Sequence, residues 1–293
     1  MAGWKIWLLA ARPKTLPAAA APVLVGSALA AADAAFGWLP ALLCLLFALL
    51  IQIGTNFAND YFDFKKGADT PERTGPTRAV ASGQVAPETM RRAAYGVLAA
   101  GFVVGCGLIP FGGWWLLGVG VAAVLCALAY TAGPLPLAYV GLGDLFVVLF
   151  FGLVAVGFTY YVQTGEFSQA AWQAGLGVGL LINNLLVVNN VRDIESDRRA
   201  NKKTLAVRLG RRFSQVQYRL SGWVAALAAV GLTLQGYSVA VFGAALIAPL
   251  NGYLSSALHR ARTPEAYGRV LAGTSGLIIV YSLLLGGGLL VQT

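Results

Sequence analysis

The sequence predicts an all-α, polytopic membrane protein with nine transmembrane helices, and three observations carry that reading. Of 293 residues, 58% are hydrophobic and 11% charged, whereas a soluble domain carries about 25% charged residues. The apolar residues gather into runs of roughly 17–25, the length that crosses a bilayer as a helix. All 21 Lys and Arg fall into four segments, and nine spans put those four segments on one side.

The elements follow in order. Met1 to Thr15 holds Trp4, Lys5, Trp7 and the charged Arg12-Pro13-Lys14, which suits a short interfacial segment and not a cleaved signal peptide. The spans are expected at roughly 16–33, 39–60, 93–110, 113–131, 143–163, 171–192, 215–235, 238–258 and 270–291. Their Gly-rich and Ala-rich interiors suit close packing in lipid. Two connections, 64–91 and 193–214, are long, basic and polar, while others, such as Phe111-Gly112-Gly113, are tight. The uncharged stretch from Gly133 to Gly143 has the prolines and glycines of a rigid turn. Asp144 follows it, either as a helix cap or in a functional role. Cys44, Cys106 and Cys126 lie inside spans without metal spacing and read as packing residues. The single histidine, His259, sits at a helix end. The whole chain, 1–293, reads as one integral-membrane domain, with 64–91 and 193–214 as loops on one face.

Charge sets the orientation. Basic residues occur before the first span (Lys5, Arg12, Lys14), between the second and third, from the end of the sixth through the start of the seventh, and between the eighth and ninth. The positive-inside rule makes that side cytoplasmic, so the N-terminus is expected in the cytoplasm and the chain in the cytoplasmic membrane. The other side shows only Asp33 and Glu166. The net charge of +9 is thereby explained by topology and contact with anionic lipid; nucleic-acid binding is not implied.

Two polar stretches interrupt this pattern. The second span ends in Asn56-Phe-Ala-Asn59-Asp60-Tyr-Phe-Asp63, the sixth in Asn189-Asn190-Val-Arg192-Asp193-Ile-Glu-Ser-Asp197. At about 100° per residue, Asn56, Asp60 and Asp63 share one stripe of a helix, as do Asn189, Asp193 and Asp197. Ionisable groups near a bilayer core cost on the order of 2.5–3.5 kcal/mol each at mid-depth. Two acidic stripes at one depth, facing one cavity, form a natural cage for divalent cations; the bland reading is salt-bridged helix ends. Four carboxylates would repel one another, and Mg2+ relieves this through oxygen ligands shared with phosphates. Lys65, Lys66, Arg73 and Arg78 on one side and Arg192, Lys202 and Lys203 on the other ring the stripes. A metal cage ringed by Arg and Lys fits a diphosphate, and its place in the membrane implies a lipid diphosphate.

The pattern Asn-Asp-x-x-Asp on the second span and Asp-x-x-x-Asp on the sixth resembles the UbiA superfamily of intramembrane aromatic prenyltransferases. The stretches from Asn59 through Asp69 and Arg78, from Asn189 to Thr204, and Ala11-Arg12-Pro13-Lys14-Thr15-Leu16-Pro17 are similar to its 1,4-dihydroxy-2-naphthoate branch. The resemblance covers essentially the whole chain. It implies nine helices around a central cavity open sideways to lipid, capped by the two motif loops. It also implies that Asn56, Asp60, Asp63, Asp193 and Asp197 hold two Mg2+ ions and the diphosphate, with Asn189 assisting. Lys66, Arg73, Arg78, Arg192 and Lys202 become candidates to clamp phosphate or an acceptor carboxylate. Tyr130 is placed to face an allylic cation or to act as a belt tyrosine. Asp69 matches the pattern but lies beyond the stripe.

The implied activity is transfer of a polyprenyl chain from all-trans polyprenyl diphosphate to 1,4-dihydroxy-2-naphthoate with decarboxylation, a step of menaquinone synthesis. Other acceptors, such as 4-hydroxybenzoate or homogentisate, are the alternative. An ion-coupled secondary transporter is a different class, but its acids would sit near the midplane and not at helix ends beside basic loops. A CDP-alcohol phosphatidyltransferase would need an Asp-Gly-x-x-Ala-Arg motif, which is absent.

Overall fold

A computed structural model describes residues 3–69 and 78–291. Among them there is no strand, and after a short helix α1 (Gly3–Ala11) nine helices of 14 residues or more follow. They are α2 (Pro17–Ala32), α3 (Trp38–Lys65), α4 (Pro87–Cys106), α5 (Leu116–Ala129), α6 (Gly143–Thr164), α7 (Gln169–Arg192), α8 (Leu205–Gly231), α9 (Val239–Arg260) and α10 (Pro264–Leu290). Each corresponds to one expected span.

The match is not uniform in length. Five of these helices are each long and apolar enough to cross a membrane, and α1 with α2 make a sixth if that pair, bent by 51°, counts as one span. The others differ for identifiable reasons. Glu88, Arg91 and Arg92 occupy the first turns of α4. Helix α5 has 14 residues, roughly 21 Å at 1.5 Å per residue. Helix α8 begins with a polar stretch and breaks its helical geometry at Gly210, where φ is 81°. The expected seventh span starts beyond that kink.

Local chemistry explains the boundaries. Ser168, Thr204 and Thr263 cap α7, α8 and α10, each accepting a backbone N–H of its first turn. Prolines open α2, α4 and α10, where a missing N–H costs nothing. The segment Val148–Val154 within α6 is π-helical, and it is where α6 meets α7 most closely. A Cβ on Gly152 would lie 2.5 Å from the Gly175 carbonyl oxygen and 2.7 Å from Gly179 Cα. Gly175 and Gly179, four residues apart, give α7 the small-residue face that lets two backbones meet in lipid.

The helices form an incomplete ring. Seams run α2–α3, α3–α4, α4–α5, then α6–α7, α7–α8, α8–α9, α9–α10 and back from α10 to α2. Helices α5 and α6 share no comparable seam. An apolar cavity of about 1270 Å³, counted with the open space before it, lies at the gap. Its walls include Phe47, Ile51, Phe102, Leu117, Phe146 and Phe150. Cys106 and Cys126, expected as packing residues, line this cavity.

Helix directions alternate, so both motif ends, the α5–α6 connection and the last turn of α9 share one end. Asp33 marks the other end, accepting hydrogen bonds from Tyr160 (2.7 Å) and Tyr237 (3.0 Å). The four basic segments therefore lie together, as the nine-span reading requires.

Gly152→Val should lower the thermal unfolding midpoint in detergent, by overpacking of about 1–3 kcal/mol. Gly276→Ala, with open space at its Cβ, should leave the midpoint within error.

Candidate active site at the basic end of the bundle

The last two turns of α3 carry the first motif, with Asp60 2% and Asp63 5% exposed. Asp60 accepts the backbone N–H groups of Ala79 (3.1 Å, Oδ2) and Val80 (3.2 Å, Oδ1). The connection after α3 therefore folds back over its own helix end. Asp63 accepts from Arg78 Nη2 (3.3 Å) and from the Tyr139 hydroxyl (2.9 Å). Arg78 Nε lies 3.4 Å from Asp69 Oδ2, so one guanidinium braces two carboxylates. This places Asp69 beside the stripe without being on it. Arg73 lies outside the described residues.

Asn56 faces differently. Its Nδ2 donates to the Ala11 carbonyl (3.0 Å) and the Thr15 hydroxyl (3.3 Å). It fixes the elbow between α1 and α2, where Arg12 adopts a left-handed φ of 54°. Only its oxygen is left to face the carboxylates.

The second motif is less regular than a single helix. Helix α7 ends at Arg192, Asp193 is the C-cap with φ −97° and ψ 10°, and a short turn Ile194–Arg199 follows. Bonds of the i→i−4 kind still run from Asp193 N–H to Asn189 O and from Asp197 N–H to Asp193 O. The stripe survives with a kink at its middle. Arg192 grips Asp193 through two bonds of 2.7 Å, and Lys202 Nζ lies 3.7 Å from Asp197 Oδ1. Asn189 is half-buried, and Asp193 and Asp197 are buried.

The uncharged connection between α5 and α6 joins the two motifs. Thr131 donates its hydroxyl to Asn59 Oδ1 (2.9 Å) and accepts Lys66 Nζ at its carbonyl (2.7 Å). Tyr139 bonds Asp63, and its ring centroid lies 4.6 Å from Lys66 Nζ and 5.4 Å from Lys202 Nζ. Its carbonyl accepts the Lys203 N–H (2.8 Å), and Arg208 donates to the Val140 carbonyl (2.9 Å). Sequence reading missed Tyr139, because an aromatic residue in a neutral loop carries no local signal. Burial lowers the Lys66 ammonium, partly offset by Asp63. Burial and then the charges of Asp63, Asp69 and Asp197 raise the Tyr139 phenol. Both motifs thus act on one ring.

Among the described residues no three acidic, cysteine or histidine side chains already converge as a metal cage. The donor set nevertheless fits a hard divalent cation: carboxylate and amide oxygens, with Arg and Lys beside them for phosphate. Tyr130, the C-cap of α5, lines the inner end of the apolar cavity.

The chain matches the UbiA prenyltransferase family over residues 19–290. It belongs to that family. A 1,4-dihydroxy-2-naphthoate octaprenyltransferase of Haemophilus influenzae is 37% identical over 98% of this chain and 96% of its own length. The enzyme of the same name from Mycobacterium tuberculosis is 42% identical over 75% of each chain. Among solved structures, a UbiA homologue from Aeropyrum pernix superposes with a TM-score of 0.71 at 17% identity, over 94% of this chain and 97% of that one. A homologue from Archaeoglobus fulgidus bound to DMAPP and Mg2+ gives 0.62 at 15% identity, over 96% and 99%.

Arg78→Lys should cut activity about tenfold to a hundredfold. Lysine cannot bridge Asp63 and Asp69 with one planar fork, and a bond to a charged group is worth roughly 1.5–3 kcal/mol. Steady-state kinetics against wild type checks this; equal kcat/KM would reduce Arg78 to a topology residue.

Proposed function

We propose that this UbiA-family enzyme transfers a polyprenyl chain from all-trans polyprenyl diphosphate to 1,4-dihydroxy-2-naphthoate with loss of carbon dioxide, giving a demethylmenaquinol. The observation that carries the reading is the joining, through Tyr139, of two acidic helix ends at the head of an apolar cavity. Relatives named for this reaction, aligned over nearly the whole chain, support the acceptor. Prenylation of 4-hydroxybenzoate or homogentisate and ion transport have no comparable support.

Asp60, Asp63, Asp193 and Asp197, with the oxygens of Asn56 and Asn189, would hold Mg2+. When bound, the metal offsets the charge of the diphosphate and makes it a better leaving group. The chain's own residues do the rest. Lys66, Arg78 and Arg192 stand close enough to the carboxylates to exchange a partner for a phosphate oxygen, since each already holds or flanks an acid, and Lys202, beside Asp197, is placed to meet either phosphate or the acceptor carboxylate. Arg73 belongs to the same proposal by sequence. The apolar cavity takes the polyprenyl tail, and the gap between α5 and α6 lets a long chain run into lipid. Tyr130 turns its ring to the carbon from which diphosphate leaves, where an aromatic face favours developing positive charge. The C–O bond to diphosphate breaks, and a C–C bond forms at the ring carbon bearing the carboxylate. The C–CO2 bond then returns its electron pair to the ring.

The basic end faces the cytoplasm in this reading, with the N-terminus inside and the chain in the cytoplasmic membrane. In a chain lacking native cysteines, Ala68→Cys and Asn201→Cys should react with an impermeant thiol reagent from the cytoplasmic side only. Glu166→Cys should react from the opposite side only. Labelling of the first two from opposite sides would break the shared site.

Purified protein should convert labelled polyprenyl diphosphate and the naphthoate to a product of the decarboxylated mass. Asp60→Asn and Asp193→Asn should each lose activity about a hundredfold or more while remaining folded, and excess chelator should abolish turnover. Near-normal turnover in either variant, or activity in chelator, would refute the proposal.

A further inference from the structure

Tyr130 is a wall of two spaces. Beyond the apolar cavity it also lines a smaller pocket of about 220 Å³, counted with the open space before it and with room inside for about one water-sized group, whose polar walls are Asp144, Asn190, Lys202 and Thr204. Asp144, in the first turn of α6, is 8% exposed. Its Oδ1 accepts both Asn183 Nδ2 (3.1 Å) and Gln217 Nε2 (2.7 Å), while Oδ2 accepts no hydrogen bond among the described residues. Asn190 is 7% exposed, and its amide has no hydrogen-bond partner among the described residues. The Tyr130 hydroxyl has none either, and a Cβ added at Gly143 would lie 3.2 Å from it. Glycine there keeps the floor beside Asp144 open.

Polar groups inside a folded protein are partnered in the great majority of cases, by the chain, by water or by a ligand. Asp144 Oδ2, the Asn190 amide and the hydroxyl of the half-buried Tyr130 thus face one pocket without a protein partner among the described residues, and a polar ligand at the head of the prenyl cavity would complete their bonding. The space admits a single hydroxyl at its floor, with the ring that carries it standing in the mouth on the Tyr130 side. Lys202 supplies the positive charge that a ligand carboxylate needs beside Asp144. The required ligand is a flat arene whose adjacent carbons carry a hydroxyl and a carboxylate.

We propose that Asp144 Oδ2 accepts the hydrogen of the acceptor's ring hydroxyl ortho to the reacting carbon, with Asn190 completing the pocket and Lys202 meeting the neighbouring carboxylate. The inference rests on the aromatic-acceptor reading above and names the residue that selects the acceptor. A phenolic oxygen donates electron density to its ortho and para carbons, and a hydrogen bond to a carboxylate strengthens that donation. Asp144 therefore both orients the ring and makes the attacked carbon a better nucleophile, without a covalent step of its own.

The test is equilibrium binding of 1-hydroxy-2-naphthoate and of 2-naphthoate to the purified full chain, followed by fluorescence, with prenylation of the dihydroxynaphthoate measured in parallel. Wild type should prefer the hydroxylated ligand about tenfold to a hundredfold, as for a bond to an ionised partner. Asp144→Asn should lose that preference and raise KM for the acceptor but not for the prenyl diphosphate. Gln217→Ala, which removes a partner of Oδ1 and leaves Oδ2, should keep the preference. If Asp144→Asn does not fold, Asn190→Leu carries the test: by filling the pocket it should weaken both naphthoates and spare the prenyl diphosphate KM. An unchanged preference in Asp144→Asn, an equal loss in Gln217→Ala, or unweakened binding in Asn190→Leu would overturn the inference, leaving a structural network or a water site. Failure of wild type to prenylate the naphthoate would instead refute the functional reading itself.

Discussion

Carboxylates buried at the end of an apolar bundle are the constraint on which the rest of the structure depends. An ion removed from water without a partner costs several kcal/mol, so each acid needs compensation from the chain. Asp60 takes two backbone N–H groups, Asp63 a guanidinium and a phenol, Asp193 a bidentate arginine. Those bonds pull the connections back over the helix ends. The partners are cations, backbone donors and one phenol, groups whose place on a carboxylate a metal ion could take while the cations turn to a phosphate.

The second feature is the neutral connection between α5 and α6. It has no charge, yet it carries the bonds that tie α3 to the α7–α8 connection: Thr131 and Tyr139 on one side, the Tyr139 and Val140 carbonyls on the other. Gly141, at φ 81°, permits the approach, because a Cβ there would stand 2.8 Å from the Lys203 carbonyl oxygen. The same connection leads into α6 and Asp144, so the walls of the apolar cavity, the joined motifs and the small polar pocket meet within a few residues of chain. This is the physical basis for one site with a lipid side and a polar side.

Much of this was legible in the sequence. Hydrophobic runs gave the nine helices, because backbone groups in lipid must bond within a helix, and the placement of Lys and Arg gave their common end. Helical periodicity put Asp60 with Asp63 and Asp193 with Asp197. What escaped was long-range. The periodicity could not show that Asn56 turns its amide to Ala11, that the second stripe kinks at Asp193, or that Tyr139 comes near both Lys66 and Lys202. Asp144 read as a cap or a functional group with equal force. The structure shows no side-chain cap at that helix start, and bonds instead to Asn183 and Gln217. Such contacts join residues up to 76 positions apart, and no local pattern encodes them.

The central claim is that the two motifs are halves of one metal–diphosphate site. Electron paramagnetic resonance of Mn2+ bound with an unreactive polyprenyl thiodiphosphate tests it most directly. The account predicts a spin-coupled Mn2+ pair that needs the diphosphate and disappears when either Asp63 or Asp197 is replaced by Asn. Mn2+ held at one motif, uncoupled and unaffected by loss of the other, would contradict it.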